Sequence, residues 1–162
     1  MSKMKKNKFL TTTLILVFLI ILGGCSNISS YQKEIYDDDS KISKQGDSYS
    51  FALRSGSTNG NETEIKFITF NGMETLFNID SKEEGTINLD YNSEINSGLF
   101  KLVLINPDDE IINIFEGSQN GSTTVNIKNG KSRLKIVGND AKGEIKLLIK
   151  ENGNIKIYNS EN

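Results

Sequence analysis

From Ser48 onward the chain is cut into short apolar runs, each closed by Gly, Asn or Asp. Tyr49, Phe51 and Leu53 alternate with Ser50, Ala52 and Arg54, and Ile87, Leu89 and Tyr91 alternate with Asn88 and Asp90. A period of two over four to eight residues is the mark of a half-buried strand. Ile65, Phe67, Ile68 and Phe70 form a nearly continuous apolar run. Leu99 to Ile105 is interrupted only by Lys101 and reads as a central strand covered on both faces. Ile111 to Phe115, Val125 with Ile127, Leu134 to Val137, Ile145 to Ile149, and Ile155 with Ile157 complete the series. No segment after Ser48 carries a convincing amphipathic helix pattern. About nine or ten short strands at this spacing predict an all-β domain over 48–162, an antiparallel two-sheet β-sandwich of jelly-roll-like type.

The turns are expected where special backbone chemistry collects. Asn71-Gly72 is the strongest short hairpin signal, with Asn129-Gly130 and Asn152-Gly153 repeating it. Asn106-Pro107-Asp108-Asp109 places proline where a type I turn wants it. Gly138-Asn139-Asp140 is expected to separate two further strands. Lys156, between Ile155 and Ile157, gives the closing strand the charged look of a protected edge.

The first 25 residues follow a different rule. Lys3, Lys5, Lys6 and Lys8 precede an apolar stretch from Phe9 to Leu22 that is broken only by Thr11, Thr12 and Thr13. A basic start and a short apolar segment make a secretory signal, too short for a comfortable membrane span. The stretch ends in Leu22-Gly23-Gly24-Cys25, which resembles the lipobox of bacterial lipoproteins: an aliphatic residue, two small residues, then cysteine. The resemblance implies that residues 1–24 are a cleaved signal helix and that the Cys25 thiol takes a diacylglycerol. Leu22, Gly23 and Gly24 would then form the signal-peptidase motif. Two acyl chains suffice for stable anchoring where one does not. The expected location is the extracytoplasmic face of a bacterial cell membrane. Abundant Asn, Lys and Ile suggest an AT-rich genome, as in many Gram-positive bacteria.

Removing the leader leaves fifteen basic against twenty-one acidic residues, a net charge of −6. That surface repels phosphate backbones and excludes nucleic acid as a partner. It also gives no electrostatic hold on anionic lipid, so the acyl anchor is the expected membrane partner. Cys25 is the single cysteine, so no internal disulfide forms. Histidine is absent, which removes the commonest general base and transition-metal ligand. No cofactor is expected. Residues 25–47 are polar without sustained period and are expected to be a flexible tether. Asp37-Asp38-Asp39 lacks the alternate spacing of a calcium loop and is expected to be solvated.

A second resemblance covers the C-terminal part. Leu89-Asp90, Phe100-Lys101-Leu102 running to Pro107-Asp108, Ile127-Lys128-Asn129-Gly130, and Leu134-Lys135-Ile136-Val137 resemble pre-peptidase C-terminal β-sandwich domains. Those domains usually carry a tyrosine two residues after the glycine, where this chain has Ser132. The resemblance implies an accessory or substrate-handling module without catalytic residues.

Candidate chemistry is sparse. Carboxylate pairs for glycoside cleavage could come from Glu62 with Glu64, or Asp108 with Glu110, which share a face if extended. Asp108, Asp109 and Glu110 are weak calcium candidates, because turns select Asp and Asn in any case. The expectation is therefore a non-enzymatic, lipid-anchored envelope lipoprotein whose sandwich binds a glycan, another ligand or a protein partner. A small wall-glycan hydrolase using a carboxylate pair is one alternative. An envelope chaperone or inhibitor is the other.

Overall fold

A computed structural model describes residues 26–151 and 154–160. The chain divides into two units, residues 1–31 and 32–162. In the first, residues 26–31 are helical, and the helix α1 (Ser26–Glu34) runs on into the second. A 3-10 turn (Ile35–Asp37) and a short helix α2 (Asp39–Ile42) follow. Eight strands follow among the described residues: β1 (Ser48–Ser50), β2 (Leu53–Asn59), β3 (Glu62–Ser81), β4 (Gly85–Ile105), β5 (Ile111–Glu116), β6 (Gln119–Ile127), β7 (Gly130–Glu151) and β8 (Ile155–Asn159).

All pairings are antiparallel, and the all-β sandwich class expected from the alternating runs is borne out. Its construction differs from nine or ten short strands. Three strands of 20, 21 and 22 residues, β3, β4 and β7, lie side by side with β7 in the centre. Each contributes one half to each layer of the sandwich. In the first layer β2 and β6 flank residues 62–68, 85–95 and 142–151. In the second layer β1, β8 and β5 flank residues 70–81, 99–105 and 130–139. The runs that looked like separate strands are halves of the same strands.

What allows the sheet to fold over is a row of left-handed residues across the three long strands. Thr69 has φ 54°, Gly98 φ 76° and Asp140 φ 50°. Register breaks fall beside them, between Phe67 and Phe70 on β3 and around Ser97 on β4. Such bulges bend a strand and sharpen its twist. Gly98 cannot be replaced cheaply, because a Cβ there would lie 2.2 Å from the Asp140 carbonyl oxygen. Buried Asn71 ties the crease together: its Oδ1 accepts from the Asp140 backbone N–H at 2.8 Å, and its Nδ2 donates to Asp140 Oδ1 at 3.3 Å.

Asn71-Gly72 is thus not a hairpin turn. It sits inside β3, where Gly72 at φ 98° lets β1 approach; a Cβ there would meet the Ser48 carbonyl oxygen at 2.0 Å. The residue chemistry demanded a left-handed position, and a bulge met that demand as well as a turn. Gly138-Asn139-Asp140 likewise lies within β7. Asn106-Pro107-Asp108-Asp109 is the expected turn: it closes the β4–β5 pair, with the Asp109 N–H donating to the Asn106 carbonyl at 3.1 Å. Asn152-Gly153 lies outside the described residues.

The folded sheet encloses one apolar core to which both layers contribute. Ile65, Ile87, Leu89, Ile145 and Ile149 of the first layer face Phe77, Ile79, Leu102, Leu104, Leu134 and Ile136 of the second. Aromatic rings run through it as a column: Phe51–Phe70 at 4.5 Å, Phe67–Phe100 at 5.2 Å, and Tyr91–Phe115 at 4.6 Å between centroids. At the side of the sandwich Arg54 of β2 grips buried Glu74 of β3 through two bonds, at 2.7 and 3.3 Å.

The segment expected to be a flexible tether is ordered over residues 32–47 and packs on the outer face of the second layer. Ile35, Tyr36 and Ile42 are buried there against Met73, Val103, Ile105 and Val137. Three apolar residues without a regular period escape pattern reading, yet they suffice to cover a sheet face. Asp38 of the acidic run caps α2, accepting from the Lys41 N–H at 3.2 Å. Lys135, fully buried in β7, reaches out to the strap: its ammonium donates to the Lys44 carbonyl at 2.7 Å and lies 3.3 Å from Asp47 Oδ1. Asp47 in turn accepts from the Thr75 N–H and hydroxyl. Burial holds the Lys135 ammonium below its ordinary pKa, opposed by Asp47.

Two stability contrasts follow. Gly98→Ala should cost about 1–3 kcal/mol or more in urea unfolding, and Gly117→Ala, left-handed but in open space, about 1 kcal/mol. Asp47→Ala should cost about 3–5 kcal/mol by stranding a buried charge, whereas Lys135→Met should be near neutral. Because the folded Lys135 binds its proton less tightly than the unfolded lysine, its contribution to stability rises with pH below the ordinary lysine range. Lys135→Met should remove that rise.

Candidate functional site

The outer faces of the two layers are treated differently. The strap covers much of the second layer, while the first layer presents its five strands, β2–β3–β7–β4–β6, as an open polar surface. One row crosses all five: Ser57, Glu64, Lys146, Asn92 and Asn120 are successive cross-strand partners. The next row on the same face runs Asn59, Glu62, Leu148, Asp90 and Ser122. Period-two alternation puts both rows outward, since Ile65, Leu89, Leu147 and Ile149, their neighbours along the strands, enter the core. Apart from Ser122, these rows line a groove of about 600 Å³, whose apolar lining is Tyr91, Leu147 and Leu148.

Much of the charge on this face is paired. Lys146 Nζ lies 3.0 Å from Glu64 Oε1, and Lys66 Nζ 2.6 Å from Glu144 Oε2. Lys150 bonds Asp90, which also accepts from the Ser122 hydroxyl at 2.6 Å. The Lys150 ammonium, then the Ser122 hydroxyl, hold the Asp90 carboxyl below its ordinary pKa. Lys66 does the same for Glu144. Glu62 and Glu64 do share a face, as their spacing implied, but they stand side by side along one strand and not across a cleft. A general acid for glycoside cleavage needs a raised pKa. The paired carboxylates Asp90 and Glu144 are shifted the other way. What the groove offers is a fixed array of amides, hydroxyls and paired ions, suited to hydrogen bonding an extended polar ligand.

Asp108, Asp109 and Glu110 are adjacent in sequence, but the three carboxylates do not meet at one point. Lys128 Nζ takes Asp108 at 3.0 Å and Glu110 at 3.1 Å, while Asp109 turns to Arg133 at 3.0 Å. Asn106 Oδ1 organises the turn, accepting from the Asp108 and Glu110 N–H groups. Among the described residues no three His, Cys, Asp or Glu side chains are placed to hold a metal ion. The residues of the lipobox, Leu22, Gly23, Gly24 and Cys25, lie outside the described residues. The five-strand polar row was missed in the sequence. Its successive members are 7 to 82 positions apart, and only the order β2–β3–β7–β4–β6 brings them together.

No protein-family model matches this sequence, and no curated protein is recognisably similar to it. Solved structures similar to it include a CBM35 from Cellvibrio japonicus, at 10% identity, covering 69% of this chain and 81% of that one with a TM-score of 0.37. A carbohydrate-binding module from Cellvibrio mixtus lichenase 5A, in complex with cellotriose, is 15% identical over 69% of this chain and 94% of that one, TM-score 0.38. The pre-peptidase C-terminal domain of a Bacillus anthracis collagenase is 18% identical over 60% and 86%, TM-score 0.32. At such low identity and superposition the likeness says nothing of what this chain binds.

Lys128 and then Asn106 hold the Glu110 carboxyl below its usual pKa. Lys128→Ala should therefore move the Glu110 titration upward, observable by NMR of its carboxyl carbon. An unchanged titration would mean that the ammonium is not seated between Asp108 and Glu110.

Proposed function

We propose that this chain is a lipid-anchored lipoprotein of the outer surface of a bacterial membrane, whose sandwich holds an envelope glycan without altering it. The observation that carries the binding reading is the contrast between the two outer faces. One is covered by the chain's own strap, and the other keeps a continuous five-strand polar row bare. A protein-binding patch of this size would carry an apolar, aromatic centre. The apolar lining of this groove is Leu148, the core-buried Leu147 and the ring of Tyr91, set amid Asn59, Asn92, Asn120, Ser57 and charged residues. Hydroxyl-rich chains satisfy such groups without stranding any of them. The anchor rests on Leu22-Gly23-Gly24-Cys25 and the lysines before it. Diacylglycerol on Cys25 would keep the domain at the membrane, facing the wall.

Retention of the chain on purified peptidoglycan sacculi tests the binding. Asn92→Ala combined with Asn120→Ala should weaken retention about tenfold by removing two hydrogen-bonding amides, with the unfolding midpoint unchanged. Asn113→Ala on β5 should have no effect. Retention that survives the double substitution, or no retention on sacculi, contradicts the reading. For the anchor, labelled palmitate should enter the natural chain and not Cys25→Ala. Continued labelling of that variant would overturn the assignment.

A further inference from the structure

The edge of the groove layer is unusual among the edges of this sheet. β6 runs nine residues, Gln119–Ile127, and contains no charged residue and no proline. It pairs with β4 from Ser93↔Gln119 to Gly85↔Ile127 without a register break, so it is straight and regular. The other edges are blunted. β2 carries Arg54 and a left-handed Gly56, β5 is six residues with a register break opposite and ends in Glu116, β8 is five residues with Lys156, and β1 is three residues. Native sheets protect exposed edges by charge, proline, bulges or short length. β6 uses none of these, and its outward N–H and C=O groups take no backbone partner beyond β4 among the described residues. Half the backbone groups of an antiparallel strand point away from its single neighbour.

We propose that β6 is a self-association edge, at which a second copy of this chain adds its own β6 in antiparallel register. The sequence of the strand is complementary to itself. A two-fold axis at Thr123 sets Asn120 against the second copy's Asn126, and Ser122 against its Thr124, all on the groove face. On the core face it sets Gly121 against Val125, a small residue against an apolar one. Ser122 and Thr124 donate their hydroxyls to Asp90 and Asn88 within the sheet, so they meet across the axis as small uncharged side chains, and no like charges meet anywhere in the ladder. An uncharged strand is the one edge that two copies of a net-negative chain can bring together without repulsion. The two first layers then become one ten-stranded sheet. Asn120, which lines the groove, gains the second copy's Asn126 as a neighbour, so the groove continues from one copy into the other. Pairing is independent of any glycan and is measured without one.

Sedimentation of the purified full chain in neutral detergent, corrected for bound detergent, tests this. The chain should be a dimer, and Ser122→Lys with Thr124→Lys, which sets ammonium groups opposite one another, should raise the dimer dissociation constant about tenfold or more. The unfolding transition of that variant should remain cooperative. Thr123→Cys should form an intermolecular disulfide under mild oxidation, because residues on the axis lie about 4.5–5.5 Å apart across the ladder. Asn113→Cys on β5 should not, with the unsubstituted chain showing what Cys25 contributes. A monomer at tens of micromolar overturns the proposal. So does a dimer indifferent to the lysine pair, or cross-linking at Asn113 as efficient as at Thr123.

Discussion

The bond between buried Asn71 and Asp140 closes a crease on which the rest of this molecule depends. β3, β7 and β4 are each too long for one layer, and each bends at a left-handed residue: Thr69, Asp140 and Gly98. Because the three bends lie side by side, the sheet folds as a sheet: each long strand runs on through its bulge and resumes pairing with the same neighbour. Two of the three residues are not glycine, and left-handed conformations cost them energy. Asn71 offsets that cost by bonding both the backbone and the carboxylate of Asp140. Lys33 adds an ion pair to the same carboxylate at 2.6 Å, on the outside of the bend.

Everything with a bearing on function follows from the crease. Folding one sheet gives two inner faces, which close on the aromatic column, and two outer faces. The outer face of the second layer carries Met73, Val103, Ile105 and Val137, apolar residues that need a cover, and the strap supplies it with Ile35, Tyr36 and Ile42. The outer face of the first layer is mainly polar, with Leu53, Ile68 and Leu148 as its apolar residues, and it stands open. The polarity of alternate residues along three strands thus decides which face is structural and which is available to a ligand. Lys135 marks the division. On the same β7 strand, it is buried under the strap while Lys146 stands in the groove.

Much of this was legible in the chain. Alternation of Tyr49 to Leu53, Ile87 to Tyr91 and Ile145 to Ile149 predicts strands that the structure contains or closely borders. The proline turn at Asn106–Asp109 lies where its chemistry placed it. What misled was local punctuation. Asn71-Gly72 and Gly138-Asn139-Asp140 signal left-handed backbone, and a crease needs that conformation as much as a hairpin does. Nothing local tells the two apart, because the difference lies in whether a neighbouring strand continues past the bend. The strap was misread for a related reason: Ile35, Tyr36 and Ile42 are apolar residues in an otherwise polar stretch, and their burial depends on a sheet face built from residues 31 to 102 positions later. The acidic turn 108–110 was legible as a turn. That Lys128 sits between two of its carboxylates was not, since the pairing needs β6 to end beside the β4–β5 turn.

Native-state hydrogen exchange along β7 tests the crease most directly. Ile136 lies in the half of β7 that belongs to the second layer, and Ile145 in the half that belongs to the first. If one continuous sheet carries both layers, amides on either side of Asp140 should open with the same free energy and the same denaturant dependence. Two distinct opening energies, with one half of β7 exchanging while the other stays protected, would show two layers that fold separately and would contradict the account.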